Sequence, residues 1–208
     1  DRDAASSGAV PHEPGVTGAE AESESGDTAA EIGEDDTPFG GREAAIVPLI
    51  VAGARKLKRA LADEQNEVLD ALRRKEPVRS LDVLVPWESE QSERYAAAIT
   101  PDLLAAAEAG AASVGGTAPV ALGPTGALAP ARETLASELV VPLRERLARA
   151  VEDADGDNDV IAKKVRGIYR EWKTQRIDEQ LDDLFRGMYA RAAFQAIEPG
   201  TRVRWIVD

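Results

Sequence analysis

Residues 165–197 read VRGIYREWKTQRIDEQLDDLFRGMYARAAFQAI, and this stretch decides the fold. Large apolar side chains recur in it at helical spacing, with charged residues between them, which puts an apolar stripe on one face of a helix. We expect an amphipathic helix over 160–197 that stops at Glu198, Pro199 and Gly200. The stripe consists of Val165, Ile168, Trp172, Leu181, Leu184, Met188 and Ile197.

A second amphipathic helix is predicted over 43–75. Pro48 is expected to start or kink it, and Pro77 to end it. Its apolar seam is short and Glu64 interrupts it, so an intramolecular helical bundle is favoured over a dimeric coiled coil. After this helix, SLDVLVPWE at 80–88 reads as a short extended piece.

Three more helices follow from periodicity and capping signals. Two are rich in alanine: one covers 88–99, and the next starts at Thr100, which can cap it, with Pro101 in its first turn. The last covers 131–153, where Pro142 should introduce a bend. Its apolar face is formed by Leu135, Leu139, Leu143, Leu147 and Val151.

The composition divides the chain into segments. Residues 1–38 hold 11 acidic side chains and one base, with few large apolar residues, so we expect a disordered acidic tail that serves as a solvating linker or a docking tail. A loop rich in Gly, Pro and Ala at 116–130 separates a helical subdomain at 39–115 from another at 131–208. RVRWIVD at 202–208 alternates as a strand does, and the second subdomain is expected to be truncated there. The predicted fold class is mainly α, with long amphipathic helices in one or more bundles and one short C-terminal strand.

The residue inventory excludes most catalytic chemistry. The 208 residues include no cysteine and a single histidine, His12, which lies in the acidic tail. Thiolate chemistry and sites with two imidazoles are therefore excluded, and no glycine pattern for phosphate binding occurs. We expect no enzymatic activity, no catalytic residues and no cofactor. A net charge of −13 argues against nucleic acid. No apolar run approaches the about 20 residues that span a bilayer, so we expect a cytoplasmic protein that contacts membranes only through regions absent from this chain.

The loop DADGDND at 153–159 has the alternating aspartates of a calcium-binding loop. Counted from its first residue, however, position six is Asn158 rather than glycine and position twelve is Lys164 rather than glutamate. The alternative is a turn at Gly156 followed by aspartates that cap the next helix. We expect no high-affinity metal site here. The weak metal candidates are Asp153, Asp155, Asp157 and Asp159.

Two pairs of acidic residues stand four positions apart in the last helix, as carboxylate ligands of a metal site in a bundle do. That pattern also requires a histidine, and this helix contains none. Arg186 can pair with the acid four residues before it, so we expect a solvated face with salt bridges. The pairs are Asp178 with Asp182 and Glu179 with Asp183.

Basic residues form two clusters on the 43–75 helix, one near its middle and one at its C-terminal end, and these could contact anionic lipid or nucleic acid. Acidic residues lie between the two clusters, so a charged outer face is the favoured interpretation. The basic residues are Arg55, Lys56, Lys58, Arg59, Arg73, Arg74 and Lys75, and the acidic ones are Asp63, Glu64, Glu67 and Asp70.

Two charged helical stretches carry a family resemblance. RKLKRALADEQNEVLDALRR at 55–74, together with 165–197, resembles the region C-terminal to the membrane-binding domain of actinobacterial DivIVA-domain-containing proteins. The resemblance covers about 43–208. It implies a role near cell division or polar growth, as a coiled-coil scaffold.

The end of the chain carries a second resemblance. A helix rich in arginine and aromatic residues, then Pro-Gly and RVRWIVD, is similar to the C-terminal domain of phage minor-head (Mu F-like head-morphogenesis) proteins. Gly200, Trp205 and Asp208 match the start of that pattern. The resemblance implies capsid assembly and a cysteine-containing metal knuckle beyond the visible C-terminus.

Two hypotheses of function follow. The leading one is a non-enzymatic helical association or scaffold protein in bacterial division or envelope organisation, with protein partners that include its own copies. The alternative is a capsid-assembly module of phage ancestry, which cysteines and histidine downstream in the parent gene would favour. Hydrolytic activity that depended on Asp153, Asp155 or Asp157 would indicate a third class, an enzyme.

Overall fold

The computed structural model describes residues 38–74, 76–117 and 128–202, and these residues are mainly α-helical. The predicted mainly α class is therefore confirmed. No strand occurs within the described ranges. The helices are α1 (Pro38–Leu72), α2 (Glu88–Ala112), α3 (Leu128–Leu135), α4 (Val141–Glu152), α5 (Asn158–Glu171) and α6 (Ile177–Ala196), and one turn of 3-10 helix covers Leu81–Val83.

π-Helical turns join consecutive helices into longer rods. Ala136–Val140 connects α3 to α4, and Trp172–Arg176 connects α5 to α6. In the first turn, the Val141 N–H donates to the carbonyl five residues back. The extra residue in this turn leaves Pro142, which has no N–H to donate, in the first turn of α4. The described helices thus form four rods: α1, α2, α3 with α4, and α5 with α6.

Residue pairs between the rods show the directions of α1, α2 and the rod of α5 and α6 relative to one another. Residues further along α1 pair with residues that come earlier in α2 and earlier in the rod of α5 and α6. Both of these rods are therefore antiparallel to α1. By contrast, α2 and α6 run parallel, because Gly110 faces Tyr189 and Gly116 faces Ala196. The pairs are Lys56–Asp102 and Glu67–Arg94 between α1 and α2, and Glu43–Arg186, Lys58–Asp178 and Gln65–Lys173 between α1 and the last rod.

One hydrophobic core is shared by the rods. Residues from 39–115 and from 131–208, predicted as two helical subdomains, both contribute to it and pack against one another. The largest fully buried side chains come from all four rods. They are Ile46, Leu57 and Leu61, Tyr95 and Ile99, Leu128, Leu139, Leu143 and Leu147, and Tyr169, Trp172 and Phe185.

Small residues on α2 let α6 approach closely. Ala106 and Ala107 are buried in this contact face, one turn before Gly110. A Cβ added at Gly110 would overlap the carbonyl group of Tyr189 and lie 2.8 Å from its carbon atom. The alanine-rich sequence of α2 therefore brings backbone against backbone rather than burying large side chains.

Asn158, the first residue of α5, ties the end of α1 in place. Its Oδ1 accepts a hydrogen bond from the Val78 N–H at 3.0 Å. Its Nδ2 donates to the carbonyls of Leu72, Arg74 and Glu76 at 3.2, 3.0 and 3.0 Å. Carbonyls at a helix C-terminus have no partner within the helix, so this one side chain satisfies groups that the end of α1 leaves open.

Three sequence predictions about helix boundaries are wrong. The structure has one continuous α2 where we expected a break at Thr100 and Pro101. Thr100 does not cap a helix but donates its hydroxyl to the Ala96 carbonyl at 2.8 Å. Pro101 has no N–H to donate to the Ala97 carbonyl. Both residues are exposed, so water can hydrogen-bond that carbonyl instead. Likewise, α1 does not start at Pro48: this exposed proline lies inside the helix, which begins at Pro38 rather than at the predicted residue 43.

Two segments expected to be irregular or extended are partly helical. The predicted extended piece at 80–88 contains the turn of 3-10 helix and the start of α2. The predicted loop at 116–130 gives way to α3 from Leu128, whose buried side chain docks the helix on the core. The rest of that loop from 118, the predicted disordered tail up to 37, and the predicted strand from 203 lie outside the described residues.

Candidate functional site

A polar cluster lies inside the core, centred on Glu64 of α1. Glu64 is fully buried, and its Oε1 accepts three hydrogen bonds. The Tyr95 and Tyr169 hydroxyls donate to it at 2.6 Å each, and Gln91 Nε2 donates at 2.8 Å. Three rods thus meet at a single carboxylate oxygen. Glu64 had been interpreted as a break in the apolar seam, whereas the structure makes it the polar centre of that seam.

The cluster extends to α4 through Gln91. The Gln91 Oε1 accepts a hydrogen bond from Arg144 Nη1 at 2.9 Å. The same Arg144 atom donates to the Pro86 carbonyl at 2.6 Å, and Nη2 lies 3.8 Å from Asp82 Oδ1. A side chain from each of the four rods therefore belongs to one hydrogen-bonded network. Such a network fixes the relative register of the helices, because each donor has one acceptor position to reach.

Burial keeps the two tyrosines of this cluster protonated. Desolvation raises the pKa of both Tyr95 and Tyr169 well above the ordinary value, and the nearby Glu64 charge raises it further. A protonated hydroxyl is the form that can donate to Glu64. The second oxygen of Glu64, Oε2, is buried and has no hydrogen-bond partner among the described residues.

The cluster is closed to substrates. Glu64, Tyr95 and Gln91 have no solvent exposure, and neither does Tyr169. Because none of these side chains reaches the surface, none of them can contact a molecule outside. The arrangement stabilises a particular packing of the rods and does not resemble an acid–base site, whose groups must reach a substrate.

Three of the four aspartates in the 153–159 loop have separate structural roles. Asp157 caps α5: its Oδ1 accepts from the backbone N–H of Asp159 and Val160 at 3.0 and 3.1 Å, which confirms the capping interpretation. Asp153 pairs with Lys164 at 2.8 Å, Asp155 pairs with Arg79, and Asp159 is exposed. Gly156 has φ +86°, the left-handed conformation that the turn requires. Within the described ranges, no group of three or more acidic, histidine or cysteine side chains is arranged to hold a metal ion.

The charged residues of the long helices form salt bridges. Asp182 accepts a hydrogen bond from Arg186 Nε at 2.7 Å, as its spacing predicted, and Asp178 accepts from Lys58 of α1. Glu179 is 3.9 Å from Arg176, so three of the four acids form salt bridges, and Asp183 is exposed.

The basic clusters of α1 are likewise engaged with acidic partners. Lys56 and Lys58 bind acids on α2 and α6, while Arg59 and Arg73 bind acids on their own helix. Arg55 and Arg74 are exposed. The prediction of a charged outer face is therefore confirmed for these residues, but it is wrong for Glu64, which is buried in the core. Lys75 lies outside the described residues.

The apolar surface is the feature that the sequence reasoning missed. Trp87, at the start of α2, is 70% exposed, and Val83, four residues before it, is 63% exposed. We call these two residues the Trp87 surface. The sequence around Trp87 does contain a signal of this exposure. A proline precedes the tryptophan and Glu88, Ser89 and Glu90 follow it, and such surroundings are typical of a helix start at the surface. Large exposed aromatic side chains often anchor protein–protein contacts.

No described helix combines the length and the apolar character needed to cross a bilayer. Comparisons of the chain with protein-family models, with curated proteins and with solved structures find no match. The resemblances to DivIVA-domain-containing proteins and to phage minor-head proteins therefore stay predictions. For the second of these, Trp205 and Asp208 also lie outside the described residues.

Proposed function

We propose that the chain is a non-enzymatic helical association protein, a scaffold that works through contacts with other protein chains, including copies of itself. The observation that carries this proposal is the Trp87 surface. A tryptophan that is 70% exposed buries only a small part of its surface in the fold, yet it offers the large, rigid contact area that interfaces favour. The four rods, closed into a four-helix bundle, provide the rigid body that presents it.

The buried polar cluster supports the same conclusion from inside the molecule. The side chains with the most potential for acid–base chemistry, Glu64, Tyr95 and Tyr169, bind one another and are shielded from solvent. Their role is to hold the helices in register, which a scaffold needs and which leaves no free catalytic group among them.

The biological setting of this association is proposed from the sequence resemblance. The charged helices at 55–74 and 165–197 resemble those that follow the membrane-binding domain in actinobacterial DivIVA-domain-containing proteins. We propose a cytoplasmic role in cell division or polar growth on that basis, with membrane contact supplied by segments outside this chain.

Sedimentation velocity of the full chain, from about 1 to 500 µM, tests the proposed association. We expect the sedimentation coefficient to rise with concentration. A double variant, Trp87→Ser with Val83→Ser, should weaken the association, while Glu90→Ser, which changes an exposed polar residue on the same helix, is the control. A single monomeric species over the whole range would overturn the proposal.

A further inference from the structure

Asp155 and Gly156 form the turn of the loop between α4 and α5. Their φ angles are +44° and +86°, in the left-handed region that glycine, asparagine and aspartate adopt more readily than other residues. They are the one Asp-Gly step in the sequence, which contains no Asn-Gly step. The Asp155 side chain is 88% exposed. The loop therefore presents an accessible carboxyl group directly before a residue that has no side chain to shield its nitrogen.

The backbone nitrogen of Gly156 is free of hydrogen bonds. On either side of it, the N–H groups of Asp155 and Asp157 donate to the carbonyls of Glu152 and Ala154, at 3.3 and 2.9 Å. The Gly156 N–H donates to no group among the described residues. A nitrogen that is held in a hydrogen bond has to be released before it can attack another atom, and this nitrogen has no such bond to break.

The Asp155 carboxyl group is held by one contact at the surface. Arg79 Nη1 donates a hydrogen bond to Asp155 Oδ1, and Oδ2 accepts none from the described residues. The Arg79 side chain is 67% exposed, and ion pairs between exposed side chains contribute little to stability. This pair therefore opens readily and leaves the carboxyl group free to turn toward the nitrogen that follows it.

The other aspartates of the loop each lack one of these conditions. After Asp153, the next nitrogen is that of Ala154, which donates to the Val151 carbonyl at 3.3 Å. The Asp157 carboxylate accepts hydrogen bonds from two backbone N–H groups at the start of α5. Asp159 precedes a β-branched valine, whose side chain crowds its own nitrogen. Only Asp155 combines a weakly held carboxyl group with a free and unshielded nitrogen.

We propose that Asp155 is a site of spontaneous modification, at which aspartate isomerises to isoaspartate. The Gly156 nitrogen attacks Cγ of the protonated Asp155 carboxyl group. The nitrogen loses its proton and Cγ loses its hydroxyl, which together leave as water, and a cyclic succinimide remains. Solvent water then adds to one of the ring carbonyls and breaks the bond from that carbon to the nitrogen. Cleavage at Cγ restores aspartate, whereas cleavage at the main-chain carbonyl leaves Cγ bonded to Gly156, which is isoaspartate.

Isoaspartate adds one carbon atom to the main chain of the turn, and the residues that follow depend on the position of this turn. Asp157 caps α5, and Asn158 donates to three carbonyls at the end of α1. The longer main chain displaces both residues relative to α4, so these contacts weaken. The modification therefore loosens the junction of α1 with α5 and leaves the mass of the chain unchanged. This inference does not depend on the proposed association.

Peptide mapping of the full chain after several weeks at neutral pH and body temperature tests this modification. Isoaspartyl peptides separate chromatographically from aspartyl peptides of the same mass, and backbone fragmentation assigns the position. We expect isoaspartate at Asp155 to exceed that at Asp153 and at Asp157 by about tenfold or more, the ratio that about 1.4 kcal/mol in activation free energy produces. Asp155→Glu, which keeps the charge but would have to close a larger ring, is the matched control and should show no isomer there. Equal levels at the three aspartates would overturn the proposal.

Asp155→Asn gives a second measurement by the same route. Asparagine also adopts the left-handed conformation, so the turn is kept, and its side-chain nitrogen leaves as ammonia when the ring closes. Intact mass and peptide mapping should show this amide lost much faster than the amide of Asn158, whose Nδ2 is bound to three carbonyls. Two amides of equal durability would contradict the proposed reactivity.

Thermal unfolding tests the structural consequence. The aged parent chain should unfold at a lower temperature than the fresh chain, in proportion to its content of isoaspartate. Asp155→Glu, aged in parallel, should show no such decrease. Isoaspartate that accumulates without any change in the unfolding temperature would show that the junction of α1 with α5 does not depend on this turn.

Discussion

Glu64 is fully buried where three rods meet, whereas Trp87, directly before α2, is 70% exposed. A charged residue inside and a tryptophan outside reverse the usual distribution of side chains. The carboxylate is tolerated because three donors bind its Oε1. No comparable internal reason exists for the position of Trp87. The difference teaches that the buried polar groups around Glu64 stabilise the fold, whereas the exposed side chain of Trp87 is accessible to other molecules.

The largest effect should come from removing the centre of the buried cluster. Glu64→Ala leaves two tyrosine hydroxyls and a glutamine amide buried without an acceptor, and each such group costs about 1 to 3 kcal/mol. We expect the free energy of unfolding to fall by about 3 kcal/mol or more, measured by urea denaturation. Glu67→Ala, on the exposed side of the same helix, is the control and should change it by about 1 kcal/mol or less. Equal effects of the two variants would show that the cluster does not hold the rods together.

A second buried contact, without polar chemistry, sharpens the comparison. Gly110→Ala forces a methyl group into the Tyr189 carbonyl, so α2 and α6 must separate. We expect a loss of about 1 to 3 kcal/mol in the free energy of unfolding. Gly167→Ala makes the same change on the open side of α5, where the new Cβ meets nothing, and should stabilise the protein by about 0.5 to 1 kcal/mol. The packing of α2 on α6 would be refuted by a Gly110→Ala variant as stable as the parent.

The dependence of the free energy of unfolding on alkaline pH is a third test of the same cluster. The folded state holds the pKa of Tyr95 and Tyr169 above the ordinary value of about 10, at which the unfolded chain ionises. The contribution of these groups is therefore present below about pH 10 and is lost as the pH rises through the folded-state pKa. We expect the free energy of unfolding to fall above pH 10 by up to about 1.4 kcal/mol per pH unit for each tyrosine. Urea denaturation of the Tyr95→Phe, Tyr169→Phe double variant should show a shallower decline, and an unchanged slope would contradict the assignment.

The smallest effect is expected at the surface, where α1 meets α6. Arg186 donates a hydrogen bond to Glu43 and lowers the pKa of that carboxyl to about 2. The pair therefore stabilises the fold at pH values above the ordinary pKa of a carboxyl group. This stabilisation is lost as the pH falls toward 2. Both side chains are about a third exposed, which limits the contribution to about 1 kcal/mol or less. Glu43→Gln should reduce the loss of stability between pH 5 and 2 by that amount, measured by thermal unfolding. A variant with the same acid dependence as the parent would show that the pair contributes nothing.

Helical periodicity predicted the class and most of the long helices, because apolar side chains such as Leu139, Leu143 and Leu147 repeat with the period of the helix they form. The prolines led to wrong helix boundaries. Pro48 and Pro101 are exposed, and at exposed positions a missing backbone hydrogen bond costs little free energy because water can replace it. The cluster around Glu64 was not predicted, since its partners lie 27 to 105 residues away in sequence. One signal was present: a glutamate that replaces an apolar residue in a helical seam lies on the buried face.

Exposure was harder to predict than helicity. Trp87 and Val47 are exposed, although they are of residue types that are usually buried. Which apolar side chains are buried depends on the packing of the helices, and the sequence pattern alone does not give that packing. The capping of α5 by Asp157 was predictable because it depends on neighbours in sequence, whereas the Asn158 contact with the end of α1 joins residues about 80 positions apart.

Sedimentation velocity of the full chain over a wide range of concentration tests the central claim most directly. Association through exposed apolar surfaces predicts a sedimentation coefficient that rises with concentration, and a weaker rise after Trp87→Ser with Val83→Ser. A concentration-independent monomer, identical in the parent and the variant, would contradict the claim that this chain functions by association.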